Sequence, residues 1–314
     1  MLIRKVGFKS FIDYLADKEV KIQSLLVAGD GDEKRNAVWD FIQARKMTTD
    51  DKFLFFGDKS KHNDALLTIC DTAAIGYIGD YYCVDDIVGW VLRNYLAYYA
   101  APPRVLFIDQ DQNNNYPYTR SHTLLDVLSD AICAGRNKGK QRLWIIIDND
   151  NLAKYISPWF LATFRNCNAS IIVINDSTET LSSIENCLFN NFQHYLIGKT
   201  GTCSKDWLSL TDLRFFNQEK FAVYIKNLPA RNFIYHASSF VLNEKKAIEH
   251  FGENSNTYIE LTPCTEEDAR SSNKQDDLAP ETANDKPDES IGNDELLVAF
   301  EPLIDLISKH GLKI

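Results

Sequence analysis

Short, nearly unbroken apolar runs alternate with longer mixed segments over the first two hundred residues. Ser24 to Ala28, Phe53 to Phe56, Arg104 to Ile108, Leu143 to Ile147, Ser170 to Ile174 and His194 to Ile197 are four or five residues each and almost free of polar alternation. Strands read this way when helices cover both faces of their sheet. Between them, Lys34 to Ala44, Val84 to Tyr99, Ser121 to Ala134, Ser157 to Arg165 and Ser182 to Asn191 carry helical patterns. Strand and helix in alternation predict an α/β fold, doubly wound around a mainly parallel sheet.

The rhythm changes after Gly201. A short helix is expected at Ser209 to Phe216, then two strand-like segments, Phe221 to Ile225 and Asn232 to His236, joined through Asn227 and Pro229. They are expected to form a closing β-hairpin. Residues 263–294 are rich in Glu, Asp, Asn, Ser, Pro and Lys and offer almost nothing apolar to bury, which predicts a disordered, acidic linker. Beyond it, Asp294 can cap an amphipathic helix in which Leu297, Phe300, Ile304 and Ile307 fall at helical spacing, bent or divided by Pro302. The expected organisation is therefore residues 1–262 as one domain, 263–294 as a tether and 295–314 as a docking helix. A helix that short is marginal alone, so its stripe needs a groove, in a protein partner or in the same chain.

Charge sharpens this picture. The net charge is −10, and Cys264 to Glu295 holds 11 acids against 3 bases, so about −8 of it sits in the tether. The rest is nearly neutral, without the basic surplus that nucleic-acid binding calls for. The most basic local run is AGRNKGKQR, Ala134 to Arg142, which reads as a helix end and loop. Seven cysteines occur singly, with no C-x-x-C pair, and argue against a disulfide framework or a zinc knuckle. No window approaches 18 apolar residues, so no membrane span is expected and the chain is placed in the cytoplasm.

Candidate chemistry centres on LLVAGDGDEKRNAVWDFI, Leu25 to Ile42, which runs from a strand through two glycines into a helix. A phosphate loop of the form G-x-x-x-x-G-K-[ST] wraps backbone N–H groups around phosphates, brings a Lys to the outer ones and offers a hydroxyl to Mg²⁺. Here Gly29, Asp30, Gly31, Asp32, Glu33, Lys34 and Arg35 make a loop one residue short. Arg35 stands where Ser or Thr would bind metal, and Glu33 where a glycine would precede the Lys. Asp30, Asp32 and Glu33 would face a polyanion, each like-charge contact near ~4 Å costing on the order of 1 to 4 kcal/mol. The competing reading is a tight strand-to-helix turn with acids at the helix start, where the dipole favours them.

Two strands end in Asp, at Asp109 in RVLFIDQD and Asp148 in RLWIIIDND. A metal-side carboxylate at such an end is normally followed by an acid that activates water. Asn149 follows Asp148, and an amide cannot accept that proton. No histidine spacing fits a zinc site and no G-x-S-x-G elbow occurs, so no catalytic or metal-binding residue is assigned.

The succession of LLVAGDGDEKRNAVWDFI, AICAGRNKGKQRLWIIIDN, NASIIVINDS, HYLIGKTG and LTDLRFFNQEKFAVYIKN resembles the RecA-like motor domain of the FtsK/HerA group, particularly the TraD/TraG-type coupling ATPases of type IV secretion and conjugation. The likeness covers roughly Ser24 to Ser238. It implies that Gly29, Gly31, Lys34 and Asp148 correspond to the nucleotide-binding positions, Lys34 as the phosphate-loop Lys and Asp148 as the metal-side acid. Arg35, Asn149 and Asn175 then occupy the places of the Ser/Thr, the catalytic acid and the sensor Gln. The resemblance thus implies a pseudo-ATPase without a cofactor, a scaffold or adaptor similar to the small non-catalytic subunits of the Dot/Icm coupling complex. Such a subunit would bind protein partners and be peripheral at the inner membrane through its complex. The alternative is a divergent ATPase that still holds ATP and Mg²⁺ through Lys34 and Asp148.

Overall fold

The computed structural model describes residues 3–62, 104–109, 118–135, 141–153, 155–165, 167–175, 192–200, 218–237, 239–242, 244–252 and 258–263. The helices expected at Val84 to Tyr99, Ser182 to Asn191 and Ser209 to Phe216, the basic residues 136–140, the tether and the C-terminal helix lie outside them.

Nine strands form one mixed, mostly parallel sheet: β1 (Arg4–Gly7), β2 (Ser24–Ala28), β3 (Lys52–Gly57), β4 (Val105–Asp109), β5 (Leu143–Asp148), β6 (Ala169–Asn175), β7 (His194–Ile197), β8 (Phe233–Ala237) and β9 (Tyr258–Thr262). Their order is β1-β9-β8-β7-β2-β6-β5-β3-β4. Only β8 runs against its neighbours, pairing antiparallel with β7 and β9. The helices are α1 (Phe8–Ala16), α2 (Glu33–Thr48), α3 (Tyr118–Gly135), α4 (Asp150–Ala153), α5 (Pro158–Arg165), α6 (Gln218–Lys226), α7 (Ser239–Leu242) and α8 (Lys245–Phe251).

Alternate residues of each central strand face opposite layers, the period-2 geometry of a pleated strand. Leu26, Leu54 and Ile145 pack with side chains of α3, α5 and α6, whereas Leu25, Phe53 and Trp144 pack with α1, α2 and α8. Both faces are thereby covered, which is why β2, β3, β5 and β6 are largely apolar and carry most of their polar residues at or near their ends. A buried ion pair helps to seat α2: Arg45 Nε donates to Asp51 Oδ2 at 2.7 Å, and Trp144 Nε1 donates to the same oxygen at 2.8 Å. Arg142, part of the basic run, reaches inward, donating to the Ile22 carbonyl and to Ser170 Oγ, both at 2.8 Å.

The expected β-hairpin does not form. Phe221 to Ile225 lies inside helix α6, and the second segment is β8, which pairs with β7 and β9. Phe221, Ile225 and Leu228 are buried while Val223 is 58% exposed. That i, i+4, i+7 spacing is helical, and it overrode the β-branched and aromatic character that suggested a strand. The pair β1 and α1 and the strand β9 extend the sheet at its other end, where the sequence pattern had suggested nothing regular.

The order of strands defines where a site can lie. From β2 the chain crosses to β3, and the strands on that side, β6, β5, β3 and β4, all precede β7, which returns to the opposite flank of β2. The carboxyl end of β2 is therefore a switch point, the crevice in which open α/β sheets place ligands. The register aligns Ala28 with Asn175 and Ile197, and Gly57 with Asp148, so these strand ends share one edge.

Candidate functional site

The β2–α2 turn fits closely against the loop that follows β7. Asp30 N donates to the Lys199 carbonyl at 2.9 Å and Gly198 N to the Ala28 carbonyl at 2.7 Å. Gly29 has φ +154°, and a Cβ placed there would lie 3.2 Å from Gly198 Cα. Glycine at position 29 is thus required by the conformation and by the close approach. Gly31 serves differently, because the Glu33 carboxylate folds back over it and would lie 1.8 Å from any Cβ. An anion of the chain itself occupies the mouth of the turn.

Lys34 is buried, and its Nζ donates to the Gly29 carbonyl at 2.6 Å and the Gly31 carbonyl at 2.8 Å. The ammonium clamps the turn from within. Arg35, also buried, reaches across to β5: Nε meets Asp148 Oδ2 at 2.7 Å, Nη2 meets Asp148 Oδ1 at 3.2 Å, and Nη1 meets Asp32 Oδ1 at 3.0 Å. Planar guanidinium and carboxylate match in this two-point geometry, which fixes direction as well as charge.

His62, just beyond β3, completes the ring of contacts around Asp148. The Trp39 indole N–H can only donate, and it meets His62 Nδ1 at 3.1 Å, so the imidazole proton belongs on Nε2. That Nε2 lies 2.7 Å from Asp148 Oδ2. Trp39 stacks on Phe55 at 4.8 Å, and the His62 ring stands edge-on to Phe55 and Phe107. Burial alone would raise the Asp148 carboxyl, but His62 and Arg35 outweigh it and hold the group below the usual carboxylate range. Asp148 is a buried anion neutralised by side chains.

The remaining positions are also occupied in structural roles. Asn149 Oδ1 accepts the Leu152 N–H at 2.9 Å and caps α4, as Asn commonly does. Asn175 is buried at the end of β6. Gly29, Gly31 and Lys34 are therefore brought together in one turn, with Asp148 joined to it through Arg35. Leu297, Phe300, Ile304 and Ile307 lie outside the described residues. His62 was missed in the sequence because it shares no motif with the turn and arrives through β3. Among the described residues no group of three or more His, Cys, Asp or Glu is arranged to hold a metal ion.

Cations also line the outer part of the turn. A hollow of about 460 Å³ is bounded by Gly29, Gly31, Lys199, Lys226, Arg231 and Phe233, among others.

The sequence matches no protein-family model and no curated protein. Solved structures do resemble the fold. The bacterial conjugative coupling protein TrwBΔN70, in a sulphate complex, matches with a TM-score of 0.50 at 12% identity, covering 82% of this chain and 92% of that one. The genome packaging NTPase B204 of Sulfolobus turreted icosahedral virus 2, bound to AMPPCP, matches with a TM-score of 0.47 at 13% identity, over 78% of this chain and 98% of that one. At such identity the likeness to TrwB establishes a shared mainly parallel α/β architecture, of the kind that the motif succession led us to expect.

Proposed function

We propose that this chain is a pseudo-ATPase, a non-catalytic scaffold or adaptor subunit that keeps a RecA-like frame and works by binding other proteins in a larger complex, of the type IV secretion coupling kind. The observation that carries this reading is the ion pair between Arg35 and Asp148. The residue type that would bind Mg²⁺ through a hydroxyl is replaced by a cation, and that cation holds the acid that would face the metal. Glu33 over Gly31 adds like charge where phosphate would sit. Asn149, tied to the Leu152 N–H, supplies no base.

Partner binding falls to the C-terminal stripe of Leu297, Phe300, Ile304 and Ile307. A tether of about 30 residues has an r.m.s. reach of roughly 30 Å, enough for a partner held nearby. Among the described residues no helix is long and apolar enough to cross a membrane. The test is isothermal titration of the full chain with ATP and Mg²⁺. No heat beyond dilution is expected. Micromolar binding abolished by Lys34→Ala would replace this reading with the divergent ATPase.

A further inference from the structure

A second hollow, of about 540 Å³, adjoins the one beside the β2–α2 turn, and the two share Glu33, Arg231 and Phe233 in their walls. Together they make a trough with two unlike ends. At one end stand Lys199 after β7, Lys226 at the close of α6 and Arg231 in the turn before β8, all exposed. None of these three ammonium or guanidinium groups makes an ion pair among the described residues. The lining of that hollow carries four cations, counting the inward-turned Lys34, against Asp30 and Glu33, in a chain of net charge −10. The other end is lined by the apolar Phe8, Ile12, Ala37, Phe233 and Pro263 together with Lys9, Asn36 and Asp40. The Phe8 and Phe233 rings lie 5.5 Å apart and make it continuous.

We propose that this trough docks an acidic peptide of a partner protein, its carboxylates toward Lys199, Lys226 and Arg231 and its adjoining apolar side chains against Phe8, Ile12 and Phe233. The inference rests on the non-catalytic reading above, because a turn capped by Glu33 and clamped by Lys34 leaves the outer cations for another anion. Cations on three separate segments, with no ion-pair partner among the described residues, steer an anionic segment, and the apolar lining fixes it. A small inorganic anion would leave that lining unused. The surface is built from residues other than those of the C-terminal stripe, so it would add a second point of attachment.

The test is fluorescence anisotropy of the full chain with a fluorescein-labelled probe peptide, a Glu-Asp-Glu-Asp block followed by Leu-Phe-Leu, alongside its Gln-Asn-Gln-Asn analogue. The acidic probe should bind, its affinity should fall about tenfold or more in Lys226→Glu and in Arg231→Gly, and added salt should weaken it further. Arg231→Gly matters most, since Arg231 sits at φ +66°, a conformation that glycine adopts without strain, so its loss of binding is not misfolding. Equal binding of the two probes overturns the proposal. ATP displacing the probe, and itself lost with Arg231→Gly, gives the trough to a phosphate ligand and overturns it too. Self-association in sedimentation velocity that the same substitution abolishes assigns the trough to a second copy of the chain and overturns the choice of partner. Failure of the probe together with an absent ATP heat sinks this inference alone; Lys34-dependent ATP binding sinks the reading beneath it.

Discussion

The guanidinium of Arg35 holds both carboxylate oxygens of Asp148, at 2.7 and 3.2 Å, across a separation of 113 residues in sequence. Both groups are buried, so removing one strands the other in a poorly solvating place. Arg35→Ala is expected to cost about 3–5 kcal/mol of folding stability. Arg35→Met with Asp148→Leu should recover much of that loss, because an apolar pair of similar volume leaves no buried charge. Urea unfolding of the two single variants and the double variant measures the coupling. Simple additivity would mean that the pair contributes nothing jointly.

His194 supplies a pH dependence of known sign. Burial, with the nearby His236 adding repulsion, lowers its pKa from the ordinary value to about 3. Its Nδ1 lies 2.8 Å from the Tyr235 hydroxyl. The folded chain therefore keeps the imidazole neutral where the unfolded chain, near pKa ~6.5, takes up a proton. Stability is complete above about pH 6.5 and falls as the pH drops toward the folded value, by up to roughly 1.4 kcal/mol per pH unit midway. His194→Gln should flatten that slope by one proton. Urea midpoints at about pH 7.5 and 5 decide it; an unchanged slope excludes His194 as the source.

Gly29→Ala tests the seam between the β2–α2 turn and the loop after β7. The new methyl would press on Gly198 Cα at 3.2 Å while the backbone holds φ +154°. A loss of about 1–3 kcal/mol is expected, read as a lowered midpoint in thermal unfolding. Gly7→Ala is the contrast, since nothing lies within 4 Å of a Cβ there. Equal melting of the two variants would show that the seam is not tight.

Arg231→Gly should raise stability. The left-handed conformation at φ +66° costs a non-glycine residue roughly 1–2 kcal/mol. Glycine returns about 0.4–1 kcal/mol of that through the freedom of its unfolded chain, leaving a net gain of about 0.5–1 kcal/mol. Denaturant midpoints measure it, and a lower midpoint would mean that the Arg231 side chain itself holds the turn.

Much of the sheet was legible because its strands are buried on both faces. Ser24 to Ala28 and His194 to Ile197 fall at their observed bounds, and β3, β4, β5 and β6 differ by one residue at their ends. Phe221 to Ile225 misled because aromatic and β-branched residues favour strands, and only burial of Phe221, Ile225 and Leu228 on one side reveals a helix. The segment β1 and α1 hid behind Lys5 and Lys9, whose charges break the apolar run. In the candidate site, the turn and Asp148 were legible from glycine spacing and a strand end. The bond between Arg35 and Asp148 was not, since no local pattern tells which long side chain will cross from one strand end to another. His62 was hidden for the same reason, its tautomer depending on Trp39 and its position on β3.

A metal ion can depart and return, and molecular motors use that exchange to move between shapes. Arg35 is anchored by its own backbone, so the charge opposite Asp148 cannot leave the chain as a bound ion can. A centre fastened in this way carries its counter-charge within the chain itself, joining the first turn of α2 to the end of β5.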